Sequence, residues 1–169
     1  MEIYDLVDED DKVIGKTNRE EAHKNNKIIH RSVIFFIFDK KGRVFVNQRT
    51  ANKKFFPEYW SIAFGGHVHS GESYDDAVVR ECKEETGIEV KPFFMGKIKI
   101  RLPDESENSN VYGFIADKKL KLDRFEIKQG KFMMMRELEE KLKKEKFLPE
   151  TKKLLEILKK FETKFIQSV

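Results

Sequence analysis

The stretch Gly66 to Ile88, GHVHSGESYDDAVVRECKEETGI, decides how the chain is read. Gly65, Gly66 and Gly71 supply turns ahead of Ser73, and Ser73 with Asp76 three residues later forms a capping box that opens a helix. Gly87 supplies the stop, because a helix C-terminus favours the left-handed conformation that glycine adopts freely. The spacing predicts a loop, a helix over roughly 74 to 86 and a second loop. At about 100° per residue, Glu81, Glu84 and Glu85 continue the face of Tyr74, Ala77 and Val78, which turns three carboxylates towards the body of the protein. Carboxylates so close raise one another's pKa unless a cation sits among them, and hard oxygen ligands at this density suit Mg²⁺ or Mn²⁺. A solvated acidic face also accounts for the triplet taken alone, since 38% of the chain is charged.

The segment resembles the signature of the Nudix hydrolases: glycine, five residues, glutamate, seven residues, then Arg-Glu-apolar-any-Glu-Glu-any-Gly-apolar. Here those positions are Gly66, Glu72, Arg80, Glu81, Cys82, Glu84, Glu85, Gly87 and Ile88, with Cys82 standing where the family usually has an aliphatic residue. The resemblance implies an α/β/α sandwich with a mixed sheet and the signature helix lying against it. It also implies hydrolysis of a diphosphate linkage, with metal held by Glu81, Glu84, Glu85 and the Gly65 carbonyl while Glu72 and Arg80 order the loop and helix. Glu81 is the first choice of general base; Asp104, Glu105, Glu107 and Glu126 are the others.

A second resemblance covers residues 1 to 116. His23, His30, Arg49, Lys53, Trp60 and His67 are placed as in isopentenyl diphosphate isomerases, which share the Nudix fold. Gly65 stands where those isomerases carry their catalytic cysteine, and Asn108 and Asn110 fall where they have two later acidic residues. Isomerisation of an alkene needs a proton donor and an acceptor, and glycine supplies neither. The combination implies a hydrolase on an isomerase-like frame. His23, His30 and His67 are then either a second metal site or ordinary hydrogen-bonded residues at a cleft rim. Arg49, Lys53 and His67 are candidates to contact substrate, the two basic residues reaching a distal phosphate unless they are plain surface cations.

The remaining sequence bounds the picture. A chain of 169 residues without repeat or linker predicts one domain over 1–169. Its longest apolar run, Val33 to Phe38, is too short to cross a bilayer, so a soluble cytoplasmic protein with no membrane partner is expected. One cysteine, on the apolar edge of the signature helix, predicts a buried reduced thiol. The net charge of +4 fits a small phosphorylated substrate. Nucleic-acid motifs are lacking, although such a partner is not excluded, and a homodimer is compatible with everything here. Substrate identity stays open among nucleoside triphosphates, nucleotide sugars, dinucleoside polyphosphates, capped RNA and isoprenoid diphosphates, and a non-catalytic nucleotide or RNA binding module is the alternative class.

Along the chain, an N-terminal hairpin and short helix occupy 1–27, with Asn18 and Glu21 capping a helix through Asn25 that carries His23. Ile28 to Phe38 and Arg43 to Arg49 predict a central hairpin, Ile62 to Phe64 a short strand, and Phe93 to Leu102 a strand with a basic face of Lys97, Lys99 and Arg101. Pro103 to Asn110 reads as a polar loop, followed by strands at Val111 to Ala116 and Gly130 to Met135 and a helix near Arg136. A last helix over 149–166 presents Leu154, Leu158, Phe161 and Phe165 at helical spacing. Phe35, Phe55, Phe56, Tyr59, Trp60 and Tyr112 are candidates to line a pocket.

Overall fold

The computed structural model describes residues 2–116 and 118–167, with side chains through Phe161. Its sheet is built around β3 (Ile29–Phe38), whose sequence IHRSVIFFIF is apolar on both faces towards its end and buried there throughout. Such a strand needs cover on both sides and a full-length partner on at least one edge. β8 (Ser106–Ile115) supplies the partner, running parallel to β3 from Ile29 opposite Ser106 to Phe38 opposite Ile115. Three strands share the other edge of β3. β1 (Ile3–Val7) meets it at Ile29, β6 (Phe64–His67) runs antiparallel to Ser32 through Phe35, and β4 (Val44–Arg49) touches it at Phe38.

The expected central hairpin is therefore reduced to one residue pair, Phe38 with Val44. After that turn the strands diverge, because β6 fills the edge of β3 that β4 would need. β4 pairs instead with β9 (Ile127–Met133) and with β5 (Trp60–Ser61). β2 (Val13–Asn18) extends β1, and β7 (Phe93–Arg101) extends β8, completing a mixed sheet. The polar stretch before Val111 also departs from expectation. β8 begins at Ser106, and Ser106, Glu107, Asn108 and Ser109 are all buried. A strand whose buried residues are polar looks like a loop to any pattern based on apolar alternation.

Helices cover both faces. α2 (Tyr74–Thr86) places Ala77, Val78 and Cys82 against Val33, Phe35 and Ile37. Leu154 and Leu158 of α4 (Thr151–Gln167), with Leu138 of α3 (Met135–Leu142), pack on Phe36, Val46 and Ile62 on the opposite face. The result is the expected α/β/α sandwich. Ser73 caps α2 by accepting the Asp76 amide at 3.1 Å, and Gly87 closes it at φ 68°. α1 (Arg19–Ala22) is shorter than predicted, ending at Ala22 with His23 as its cap rather than running to Asn25, although Asn18 accepts the Glu21 amide as foreseen. Phe161 packs against the α4 side of the core, and the Phe165 side chain lies outside the described residues.

Phe36 is fully buried between these layers. Phe36→Ala should lower unfolding free energy by about 3–5 kcal/mol through lost burial and the cavity left behind, read as a fall in the urea midpoint with unchanged slope.

Candidate functional site

Arg80 organises the signature. Its Nε and Nη2 donate to the two oxygens of Glu72 at 2.9 Å each, and Nη2 also donates to the His67 carbonyl at 2.9 Å. Its Nη1 donates to Glu81 at 2.7 Å and, more weakly, to Glu84 at 3.4 Å. Glu72 in turn accepts the His69 amide at 3.0 Å, closing the loop that precedes α2. One guanidinium thus ties loop, helix and β6 together, as planar bidentate pairing allows.

The three signature carboxylates have different settings. Glu81 is buried and packs against Gly66, where a Cβ would overlap its carboxyl group. Burial raises its pKa, with Arg80 opposing. Glu84 departs from the expected inward face, its side chain 59% exposed on the shoulder of the helix. Glu85 is partly buried, and burial followed by the charges of Glu126 and Glu81 pushes its pKa up to about 7. Cys82 is a free buried thiol, pushed by burial up to about 12.

A cavity of about 550 Å³ opens beside this segment. Arg49, Lys53, Gly65, Gly66, Glu85 and Glu126 line it, so Glu85 alone of the three signature carboxylates does so among the described residues. Lys53 pairs with Glu126 at 2.8 Å. Arg49 donates to the Phe55 carbonyl at 3.0 Å, while its Nε is buried without a partner and burial lowers its pKa. Gly65 is tightly placed, since a Cβ there would lie 2.8 Å from the Val33 carbonyl oxygen. Of the aromatic candidates, Phe55 and Phe56 line the cavity; Phe35, Trp60 and Tyr112 are buried in the core.

His23, His67, Glu105 and Glu107 line the same cavity, and His30, fully buried, stands beside them. The Nε2 atoms of His23, His67 and His30 stand 3.2, 3.4 and 3.7 Å from one oxygen of Glu105, and Glu107 lies 3.4 Å from His67 and 3.5 Å from His30. One donor atom from each of His23, His30, His67 and Glu105 lies within 4.8 Å of the others, the only such grouping among the described residues. His23 Nε2 and both nitrogens of His30 nevertheless make no aligned hydrogen bond. His67 does share a hydrogen bond with Glu105 at 3.4 Å, but imidazoles that converge on carboxylates with several ring nitrogens left unpaired are suited to ligate a metal, and this mix of nitrogen and oxygen suits a first-row transition metal. Burial opposes a charge on His67, yet Glu105 and Glu107 hold its pKa up to about 9. Burial likewise works to raise Glu107, but His30 and His67 hold its carboxyl well below the usual range.

The acidic partners expected to be missing are therefore present. Glu107 sits directly opposite His30 in the β3–β8 register, whereas Asn108 faces the other way, donating to the Asp8 carbonyl at 3.1 Å, and Asn110 reaches Tyr112 at 3.4 Å. The basic face of β7 is also removed from the cavity: Lys99 and Arg101 pair with Glu9 at 2.9 and 3.0 Å. No described helix is long and apolar enough to cross a membrane.

The NUDIX domain model matches residues 28–156, and the chain belongs to the Nudix family. It is 34% identical over 134 residues to an uncharacterized Nudix hydrolase of a Nostoc species, covering 68% of this chain and 79% of that one. An isopentenyl-diphosphate Delta-isomerase of Photorhabdus laumondii is 31% identical over 147 residues, covering 83% and 84%. An uncharacterized Nudix hydrolase of Streptomyces coelicolor is 48% identical over 86 residues, which span 51% of this chain and 47% of that protein. Among solved structures, the DR0079 protein of Deinococcus radiodurans superposes with a TM-score of 0.76 at 25% identity, covering 94% and 98% of the two chains.

If the histidine cluster holds a transition metal, His30→Ala should weaken Mn²⁺ or Zn²⁺ binding by calorimetry. The loss should exceed the roughly 10–100-fold typical of removing an outer-shell partner. Unchanged affinity would place the ion elsewhere.

Proposed function

We propose that the protein is a divalent-metal-dependent hydrolase that cleaves the diphosphate linkage of a nucleoside diphosphate derivative or a related organic diphosphate. The observation that carries this is the single cavity that brings Arg49, Lys53 and Glu85 together around the Gly65-Gly66 turn. Arg49 and Lys53 bind phosphate oxygens, for which a half-buried guanidinium with an unpaired Nε and an ammonium shared with one carboxylate are suited. Glu81, Glu84, Glu85 and the Gly65 carbonyl hold Mg²⁺ or Mn²⁺. Burial, with the charges of Glu126 and Glu81 adding to it, raises Glu85 to about 7, which supports this because a carboxylate in a crowded, partly buried site calls for a cation. Such an ion polarises phosphoryl oxygens and acidifies water. Arg80 and Glu72 position the glutamates, and Glu81 accepts the proton of the attacking water. His23, His30, His67, Glu105 and Glu107 form a second, transition-metal site. A free thiol as the chain's one cysteine agrees with a reducing, cytoplasmic setting.

The intact histidine and glutamate cluster favours a second reading, isomerisation of isopentenyl diphosphate, more than the sequence alone did. Gly65 still argues against it, since it offers no thiol. Incubation with isopentenyl diphosphate and either metal should give no dimethylallyl diphosphate, and repeated turnover to that isomer would establish the isomerase instead.

Glu81→Gln keeps shape while removing the base, so the hydrolytic rate should fall by about 10² to 10⁴ with substrate affinity little changed, measured over a panel of organic diphosphates. A binding module would show no turnover to lose. Because Glu85 must be ionised to bind metal, a proton competes below its pKa of about 7. Mg²⁺ affinity should be flat above pH 8 and fall roughly tenfold per unit below pH 7, and Glu85→Gln should abolish that dependence together with most of the affinity.

A further inference from the structure

The cavity contains polar groups that the proposed phosphate and metal contacts leave unused. Asn47, two residues before Arg49 on β4, is 4% exposed, and its side-chain nitrogen is buried with no protein partner although the residue lines the cavity. Ser61, opposite Asn47 on β5, lines the cavity too but commits its hydroxyl to the Ala63 carbonyl at 2.7 Å, so it does not satisfy the amide. The start of α4 contributes Glu150. Its backbone carbonyl accepts the Leu154 amide at 3.1 Å, which fixes the residue at the helix N-terminus, and the residue lines the same cavity. Burial raises the Glu150 pKa, its own backbone amide opposes this, Glu107 adds to the rise and Arg49 counters it.

These groups have a definite chemical preference. A buried amide donor is costly to leave unpaired, and so is a carboxyl pressed against methylene groups. A hydrocarbon chain in the cavity would impose both penalties. A hydroxyl group accepts from an amide and donates to a carboxyl, so it relieves both. A further phosphate would relieve the amide but meet Glu150, Glu105 and Glu107, all acidic and all on the same cavity.

We propose that Asn47 and Glu150 form a specificity subsite for hydroxyl groups on the organic moiety of the diphosphate, so that sugar- or ribose-bearing diphosphates are accepted and hydrocarbon diphosphates rejected. This rests on the cavity being the diphosphate site of the reading above. Sites built to hydrogen-bond a hydroxyl discriminate strongly against analogues lacking it, because the protein groups are then left unpaired.

Binding separates this inference from the hydrolytic one. UDP-glucose, UDP and isopentenyl diphosphate, each with a methylene bridge in place of the anhydride oxygen, are titrated in Mg²⁺ into wild type, Asn47→Leu, Glu150→Leu and Glu150→Gln. Wild type should bind the UDP-glucose analogue at least about 10-fold more tightly than the isopentenyl analogue. Asn47→Leu and Glu150→Leu should each remove about 10-fold of that preference, and Glu150→Gln, which retains hydrogen bonding, should preserve most of it. Comparison of UDP with UDP-glucose tells whether ribose or sugar hydroxyls are read. The inference is overturned if wild type prefers the isopentenyl analogue, or if the leucine variants weaken all three ligands equally, as a packing defect would. Should Asn47→Leu not fold, the Glu150 pair decides. Absence of hydrolysis on natural substrates would sink the hydrolase reading while leaving these binding ratios to stand or fall by themselves.

Discussion

The Arg80 guanidinium is the constraint from which the rest of the signature takes its shape. Glu72, Glu81, Glu84 and the His67 carbonyl all converge on it. Neutralising acidic neighbours from one fixed plane lets several carboxylates stand close, so the loop and helix are organised by protein groups alone. The proton on Arg80 is held even more firmly than usual, first by Glu72 and, against burial, by Glu81. Such a centre stays charged, so only its carboxylate partners titrate.

Its reach to the His67 carbonyl matters beyond the signature. β6 is four residues long, and within it Gly65 borders the cavity, Gly66 makes room for Glu81 and His67 joins the histidine cluster. The strand is pinned on one side by β3 and at its end by Arg80. Both candidate metal centres therefore hang on one short, rigid piece of backbone, and their separation is set by a strand pairing rather than by side-chain rotamers.

Local signals in the sequence were read well. Ser73, Asp76 and Gly87 defined α2 to the residue because capping is decided within a few positions. The sandwich architecture and the two faces of the sheet followed from apolar periodicity and from the family resemblance. What escaped was long-range. Nothing in Ile28 to Arg49 announces that β6 and β8 will take the edges of β3, and the β3–β8 pairing joins residues 77 apart, as with His30 and Glu107. The buried polar start of β8 concealed Glu107, and Glu105 just ahead of it, as neighbours of the histidines, since strand propensity and polarity gave opposite answers there. Asn47 and Glu150 carried no signal at all, because a polar residue on a strand or at a helix start is ordinary until the fold turns it into a cavity.

The position of Gly65 has an implication for how this scaffold diversifies. A side chain there would run into the carbonyl oxygen of Val33, part of the central strand itself. Introducing a thiol at the mouth of the histidine cluster thus requires β3 and β6 to separate slightly, which disturbs the pairing on which both centres depend. Crossing from one chemistry to the other is not a matter of exchanging a single reactive group on a passive frame. The backbone of β3 or β6 has to shift to admit any side chain there.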